Sequence, residues 1–272
     1  MNEPTHRLDV ELVARGLARS RGQARELVEA GSVLLDGSPA RKISTPVGAD
    51  RSLELASGVE GWVSRAAYKL AFALEAFGHD GLFAADKRCF DVGACTGGFT
   101  QVLLREGARE VVALDVGHGQ LADEIAGDPR VVERSGINIR DARPDDLGGR
   151  AQLLVADLSF ISLRLVLPVL RDLVEPTGDL VLLVKPQFEV GRERLGKGGI
   201  VRSAHHRAMV IEEVVAAART ADLIARALRC SPIRGATGNA EYLLWLTPRP
   251  DVGLTAAEVT KLAATLSTEG PR

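Results

Sequence analysis

The apolar positions follow two rhythms. Leu8, Leu12 and Val13 recur at helical spacing and predict a short helix closed by Gly16. Ser20, with Gln23 three residues on, opens a second helix that buries Ala24, Leu27 and Val28 and ends at Gly31. Ser32-Val33-Leu34-Leu35-Asp36-Gly37 reads as a strand entering an Asp-Gly turn, so a helix-helix-hairpin unit is predicted up to residue 57. From Ser64 the helical rhythm returns in Ala66, Ala67, Leu70, Ala71 and Leu74, and then gives way to short continuous apolar runs. Cys89–Val92, Val111–Leu114, Leu153–Ala156, Leu180–Val184 and Tyr242–Leu246 have the length and composition of strands buried on both faces. The division predicted is a small α+β unit (residues 1–57), a linker around Trp62 (58–64), a Rossmann-like α/β body (65–250) and a C-terminal helix or tail (251–272).

Two of these runs flank a glycine-rich turn. Cys89-Phe90-Asp91-Val92-Gly93-Ala94-Cys95-Thr96-Gly97-Gly98-Phe99-Thr100 leads a strand through glycines into a helix, and Asp115 ends the next strand where such folds hold ribose hydroxyls. The glycines read G-x-x-x-G-G, not the G-x-G-x-x-G that sets a helix N-terminus on a pyrophosphate. S-adenosyl-L-methionine, which has no phosphate, is the cofactor expected. Asp91 offers negative potential to its cationic portion, and Gly93, Cys95, Thr96, Gly97, Gly98 and Phe99 form the turn around it. Asn138 is a further candidate on the cofactor side, equally readable as a turn asparagine. A nicotinamide oxidoreductase is the competing reading of such a turn, and the glycine spacing disfavours it.

Composition narrows the setting. The chain has 272 residues, 46% of them hydrophobic, and a formal charge of −2, so any contact with nucleic acid is a local patch. Cys89, Cys95 and Cys230 lack C-x-x-C pairing, which suggests neither disulfides nor zinc and fits a reduced cytoplasm. No apolar stretch approaches the roughly 18 residues of a membrane helix. The polar start Met1–Arg7 gives no secretory signal, so a cytoplasmic protein without metal or membrane is expected.

Charged residues at element ends supply candidate chemistry. Asp157 and Lys185 each terminate an apolar strand, where open parallel sheets place their ligands. Lys69 rides on the helix before the first sheet strand, and Glu241 opens a late one. Arg7, Arg15, Arg19, Arg21 and Arg25 gather in the small N-terminal unit as a cationic surface for phosphates. Arg192, Arg194, Lys197 and Arg202 lie in the glycine-rich segment 191–203, expected to be a mobile loop that closes over RNA.

The N-terminal segment, through Arg7-Leu8-Asp9, Gly16–Arg21, Gly31-Ser32-Val33 and Asp36-Gly37, resembles the small RNA-binding domain of the ribosomal-protein-S-four type. Ser64–Leu70, Asp91–Thr100, Asp157–Ser162, Lys185–Glu189 and Gly196–Val201 extend a resemblance to the TlyA family over nearly the whole chain. That family is in places labelled haemolysin, with a FtsJ-like body that methylates cytidine 2′-hydroxyls in ribosomal RNA. The resemblance implies that Lys69, Asp157, Lys185 and Glu241 form the family's catalytic tetrad. It also implies ribosomal RNA within a subunit as partner, the large subunit first and the small one also open. In that chemistry Lys185 is the proton acceptor, Asp157 orients it, and Lys69 with Glu241 position the hydroxyl, or both lysines stabilise an alkoxide. A membrane-lytic or purely RNA-binding protein is the remaining alternative.

Overall fold

The structure, a computed structural model, describes residues 5–18, 20–29, 31–56, 61–196, 198–250 and 253–269. It has two compact units, 1–65 and 66–272. Arg19 and Lys197, expected at the RNA surface, lie outside the described residues.

The small unit runs β1 (His6–Arg7), α1 (Leu8–Ala14), α2 (Arg21–Glu29), β2 (Val33–Leu35), β3 (Ser38–Pro39), β4 (Pro46–Val47) and β5 (Leu53–Leu55). Strands β3-β2-β5 form one antiparallel sheet and β1-β4 a second pair. Asp36 and Gly37 both take positive φ (50° and 75°), the conformation a two-residue hairpin requires. Leu8, Leu12, Ala24, Val28 and Val33 form its core.

The expected arginine face is corrected here. Arg15 turns inward: it pairs with Glu11 at 2.9 Å and donates to the carbonyls of Arg51 (2.7 Å) and Gly48 (2.9 Å), so the fold consumes its guanidinium. Arg7 and Arg21 converge on the buried Asp9, at 2.9 and 2.8 Å. Hydrogen bonding from Arg7, opposed by burial and joined by Arg21, holds the Asp9 carboxyl down at about 2. Arg25 pairs along its own helix with Glu29 at 2.8 Å.

The large unit contains α3 (Ala66–Gly78), β6 (Arg88–Val92), α4 (Gly98–Arg105), β7 (Glu110–Asp115), α5 (Asp123–Ala126), β8 (Val131–Ser135) and β9 (Ala151–Ala156). It continues through α6 (Leu163–Asp172), β10 (Val174–Val184), α7 (Pro186–Glu189), α8 (Ala204–Thr220), β11 (Ile224–Cys230), β12 (Tyr242–Thr247) and α9 (Ala256–Thr268). Seven strands order as β11-β12-β10-β9-β6-β7-β8; β12 runs antiparallel to both neighbours and the remaining pairings are parallel. Alternate strand residues face opposite layers. Phe90, Leu154, Leu182 and Leu244 pack with α6, α8 and α9, whereas Trp245 meets Phe77 of α3 at 5.7 Å. The C-terminal helix α9 is part of this body: Val259, Ala263 and Leu266 enter the same core.

Register aligns the strand ends. Val92 pairs with Ala156 and Leu182 with Ala156, while Val184 pairs with Tyr242 of the reversed strand. Gly93, Asp157, Lys185 and Glu241 therefore emerge along one edge.

Candidate functional site

At that edge the four charged residues meet. Lys69 Nζ lies 3.2 Å from Asp157 Oδ2 and 2.8 Å from Glu241 Oε2. Lys185 Nζ lies 2.6 Å from Asp157 Oδ1 and donates to Ser159 Oγ at 2.9 Å. Lys69 and Lys185 are only 7% and 8% exposed, so neither is a solvated surface lysine. Burial opposes the charge on Lys69, but the carboxylates of Asp157 and Glu241 overcome it and raise its pKa. Burial likewise opposes the Asp157 charge, and the two lysines outweigh it, lowering that pKa. Two cations and two anions thus neutralise one another in a largely dry place.

Local sequence explains the arrangement. Pro186 sits at the first position of α7, so the chain leaves β10 and turns at Lys185. Glu189, 4% exposed, accepts from Ser162 Oγ at 2.5 Å, Leu163 N at 2.6 Å and Arg164 Nε at 3.3 Å. It thereby braces the segment after Asp157 against the segment after Lys185.

Two cavities meet at the tetrad. One, about 460 Å³, is lined by Gly93, Cys95, Asp115, Asn138, Asp157 and apolar neighbours including Val116 and Ile137. The other, about 650 Å³, is lined by Lys69, Lys185, Glu241, Gln187, Phe188 and Arg192 among others. Ser159, Phe160 and Ile161 line both. Phe160 is 92% exposed in a left-handed conformation (φ 64°), with its ring 5.3 Å from that of Phe188. That conformation and exposure make Phe160 a candidate functional residue beside both cavities.

The smaller cavity has the donor set of an adenosyl site. Asp115 Oδ2 accepts from Cys95 N at 2.9 Å and Oδ1 from Gly117 N at 2.8 Å, which orients the carboxylate and leaves lone pairs for a ribose diol. Asn138 caps a short helical turn by accepting from Arg140 N at 3.1 Å, and it also lines the cavity. Those residues fit the expected cofactor.

Five other expected ligands do not line this cavity. A Cβ on Gly97 would meet Ile125 at 3.0 Å and Leu121 at 3.1 Å; its bareness admits side chains of the protein, not of a ligand. A Cβ on Gly93, which does line the cavity, would come within 3.0 Å of the Asp157 carbonyl, so this glycine lets the two strand ends approach. Gly98 and Phe99 are buried in the first turn of α4, and the Thr96 carbonyl accepts from Ala122 N. Asp91 is fully buried; Thr100 donates to its Oδ2 at 2.6 Å, while Oδ1 has no hydrogen-bond partner among the described residues. Burial pushes its carboxyl up to about 7.

The segment 191–203 is more tied down than expected. Val201 is buried, its N–H donates to Asn239 Oδ1 at 2.9 Å, and Asn239 Nδ2 donates to the Gly199 carbonyl at 2.9 Å. Arg192 lines the larger cavity, Arg194 reaches Met209 Sδ at 3.5 Å, and the Arg202 carbonyl accepts from Arg207. Ser159, Phe160, Gln187 and Phe188 had no role assigned from sequence. Their one legible signal is position, directly after the strand-end charges Asp157 and Lys185.

Among the described residues no helix is long and apolar enough to cross a membrane. Residues 62–247 match the FtsJ-like methyltransferase model and residues 6–51 the S4 domain model. The chain is 47% identical over 266 residues to the 16S/23S rRNA (cytidine-2′-O)-methyltransferase TlyA of Mycobacterium tuberculosis, covering 97% of this chain and 98% of that protein. It is 34% identical to Hemolysin A of Brachyspira hyodysenteriae, over 87% of this chain and 98% of that one. A solved structure named as a hemolysin from Streptococcus thermophilus superposes with a TM-score of 0.73 at 38% identity, covering 98% of both chains. With both domain models matched and a relative 47% identical over nearly the full length of both chains, the chain belongs to the TlyA family of FtsJ-like methyltransferases that carry an N-terminal S4 domain.

Proposed function

We propose that the protein transfers a methyl group from S-adenosyl-L-methionine to the ribose 2′-hydroxyl of a cytidine in ribosomal RNA, acting in the cytoplasm on a ribosomal subunit. The observation that carries this reading is the placement of the tetrad where the two cavities meet. The smaller cavity takes the cofactor, with Asp115 on its ribose and Asn138 and Cys95 on its walls. The cofactor supplies a sulfonium methyl. The larger cavity takes the nucleotide, whose base finds the aromatic pair Phe160 and Phe188.

Within the tetrad Lys69 stays a cation, because two carboxylates hold its proton. It fixes Asp157 and Glu241, and Asp157 in turn fixes Lys185. As the ribose oxygen attacks the sulfonium methyl its proton passes to solvent water, and the ammonium groups lower the energy of the negative charge developing on that oxygen. Arg7, Arg21 and Arg25 of the small unit and Arg192, Arg194 and Arg202 of the large one contact phosphates. Lys197 and Arg19 are assigned the same role from sequence.

Labelled cofactor incubated with unmodified small and large subunits tests the reading. Wild type yields 2′-O-methylcytidine in the nucleoside digest, and Lys185→Ala lowers the single-turnover rate about 100-fold or more. No label in either subunit RNA with wild-type protein sinks the proposal.

A further inference from the structure

Three residues wall both cavities, and one of them also touches the tetrad. Ser159 Oγ accepts from Lys185 Nζ at 2.9 Å, two residues beyond the Asp157 carboxylate that holds the same ammonium at 2.6 Å. An ammonium has three hydrogens in tetrahedral array. The ion pair with Asp157 anchors the nitrogen and the hydrogen bond to Ser159 directs one of its hydrogens, so two contacts restrict how the ammonium turns. Lys185 lines the larger cavity, so its remaining donors are available to a ribose oxygen there. With Asp157 alone, the ammonium rotates about a single contact and its donors sample several directions.

We propose, on the reading of this site as a ribose methyltransferase, that Ser159 is a positioning residue for the reaction: its hydroxyl aims the Lys185 ammonium at the 2′-oxygen. The hydroxyl proton of Ser159 has no acceptor among the described residues, so the group is free to accept from Lys185 without a competing demand. Its backbone is held on either side. Asp157 N–H donates to the Val92 carbonyl at 3.2 Å, and Ser162 is bonded to the buried Glu189. The loop therefore presents Ser159 at a fixed distance from β10 and Lys185.

Ser159→Ala removes the acceptor, and Ser159→Thr retains it. Both are compared with wild type in single-turnover methylation of the subunit that wild type modifies, with cofactor and RNA dissociation constants and melting temperature alongside. The expected result is a rate about 10-fold lower for Ser159→Ala with both dissociation constants within about twofold, and recovery by Ser159→Thr to within about threefold. An unchanged rate in Ser159→Ala, a loss confined to binding or melting temperature, or no recovery with threonine overturns the proposal. A wild-type enzyme that methylates neither subunit overturns instead the functional reading on which it rests.

Discussion

At the scale of single residues, the tetrad is a balance of opposite charges that survives burial only while complete. Lys69 stands between Asp157 and Glu241, and its removal leaves Glu241, 2% exposed, without its cation while Asp157 keeps only Lys185. Lys69→Met should therefore cost about 3–5 kcal/mol of folding stability besides activity, read as a shift in the urea midpoint. Adding Glu241→Gln should recover part of that loss. Equal stability of Lys69→Met and wild type would show that the charges are solvated after all. Asp91 is the opposite case, a buried carboxyl with one oxygen unpartnered, which burial raises from 3.8 to about 7 while Thr100 works against the rise. Its folded form keeps a proton that the unfolded form releases, so wild-type stability falls as pH rises from about 4 to about 7 and is level above. Asp91→Asn has no proton to lose. Its stability relative to wild type should grow by about 2–3 kcal/mol between pH 5 and pH 8 without cofactor, and a constant difference would mean the carboxyl is charged in the fold.

At the scale of elements, the sequence spoke clearly where one local rule decides. Apolar runs ending in Asp157 and Lys185 are β9 and β10, the Asp36-Gly37 turn is a hairpin, and Arg21–Glu29 is a helix. It spoke poorly about which polar groups the fold itself consumes. Arg15 looks like its neighbours in sequence, but two carbonyls 33 and 36 residues away claim it. Gly97 reads as a ligand turn, and only the tertiary approach of Leu121 and Ile125 shows what its bareness serves. The same blindness covers the segment 191–203, where Asn239, 40 residues beyond Gly199, makes the clamp. Asn239 is 1% exposed and bonds both the Val201 N–H and the Gly199 carbonyl, tying one wall of the larger cavity to the approach of β12 and Glu241. Asn239→Ala leaves the buried Val201 N–H and the part-buried Gly199 carbonyl without this partner, at about 1–3 kcal/mol of stability. A raised KM for RNA, about 10-fold, is expected with cofactor affinity unchanged; a KM equal to wild type would mean that Gly198 and Gly199 do not bear on the substrate.

At the scale of the whole molecule, two units with separate cores divide the work. The core of the first is closed by Leu8, Leu12, Val28 and Val33, and both cavities are lined solely by residues of the second. A chain with formal charge −2 has no general attraction for a polyanion, so the proposed reading requires the arginines of the small unit to act as a local patch. Arg7 and Arg21 share one carboxylate, Asp9, which leaves an excess of positive charge where they converge. Asp9 remains ionised down to about pH 2, so over the working range this patch keeps both its shape and its charge. Residues 66–272 alone should therefore bind cofactor within about twofold of the full chain, because nothing in that cavity is lost. Their methylation of a subunit should fall by more than about 10-fold, and the residual RNA binding should lose part of its salt dependence as arginine–phosphate contacts disappear. Calorimetry for the cofactor and filter binding at two salt concentrations measure the two halves separately. Equal RNA affinity and salt slope for the truncated and full chains would assign recognition to the methyltransferase body, while loss of cofactor binding would show that the second unit does not fold without the first.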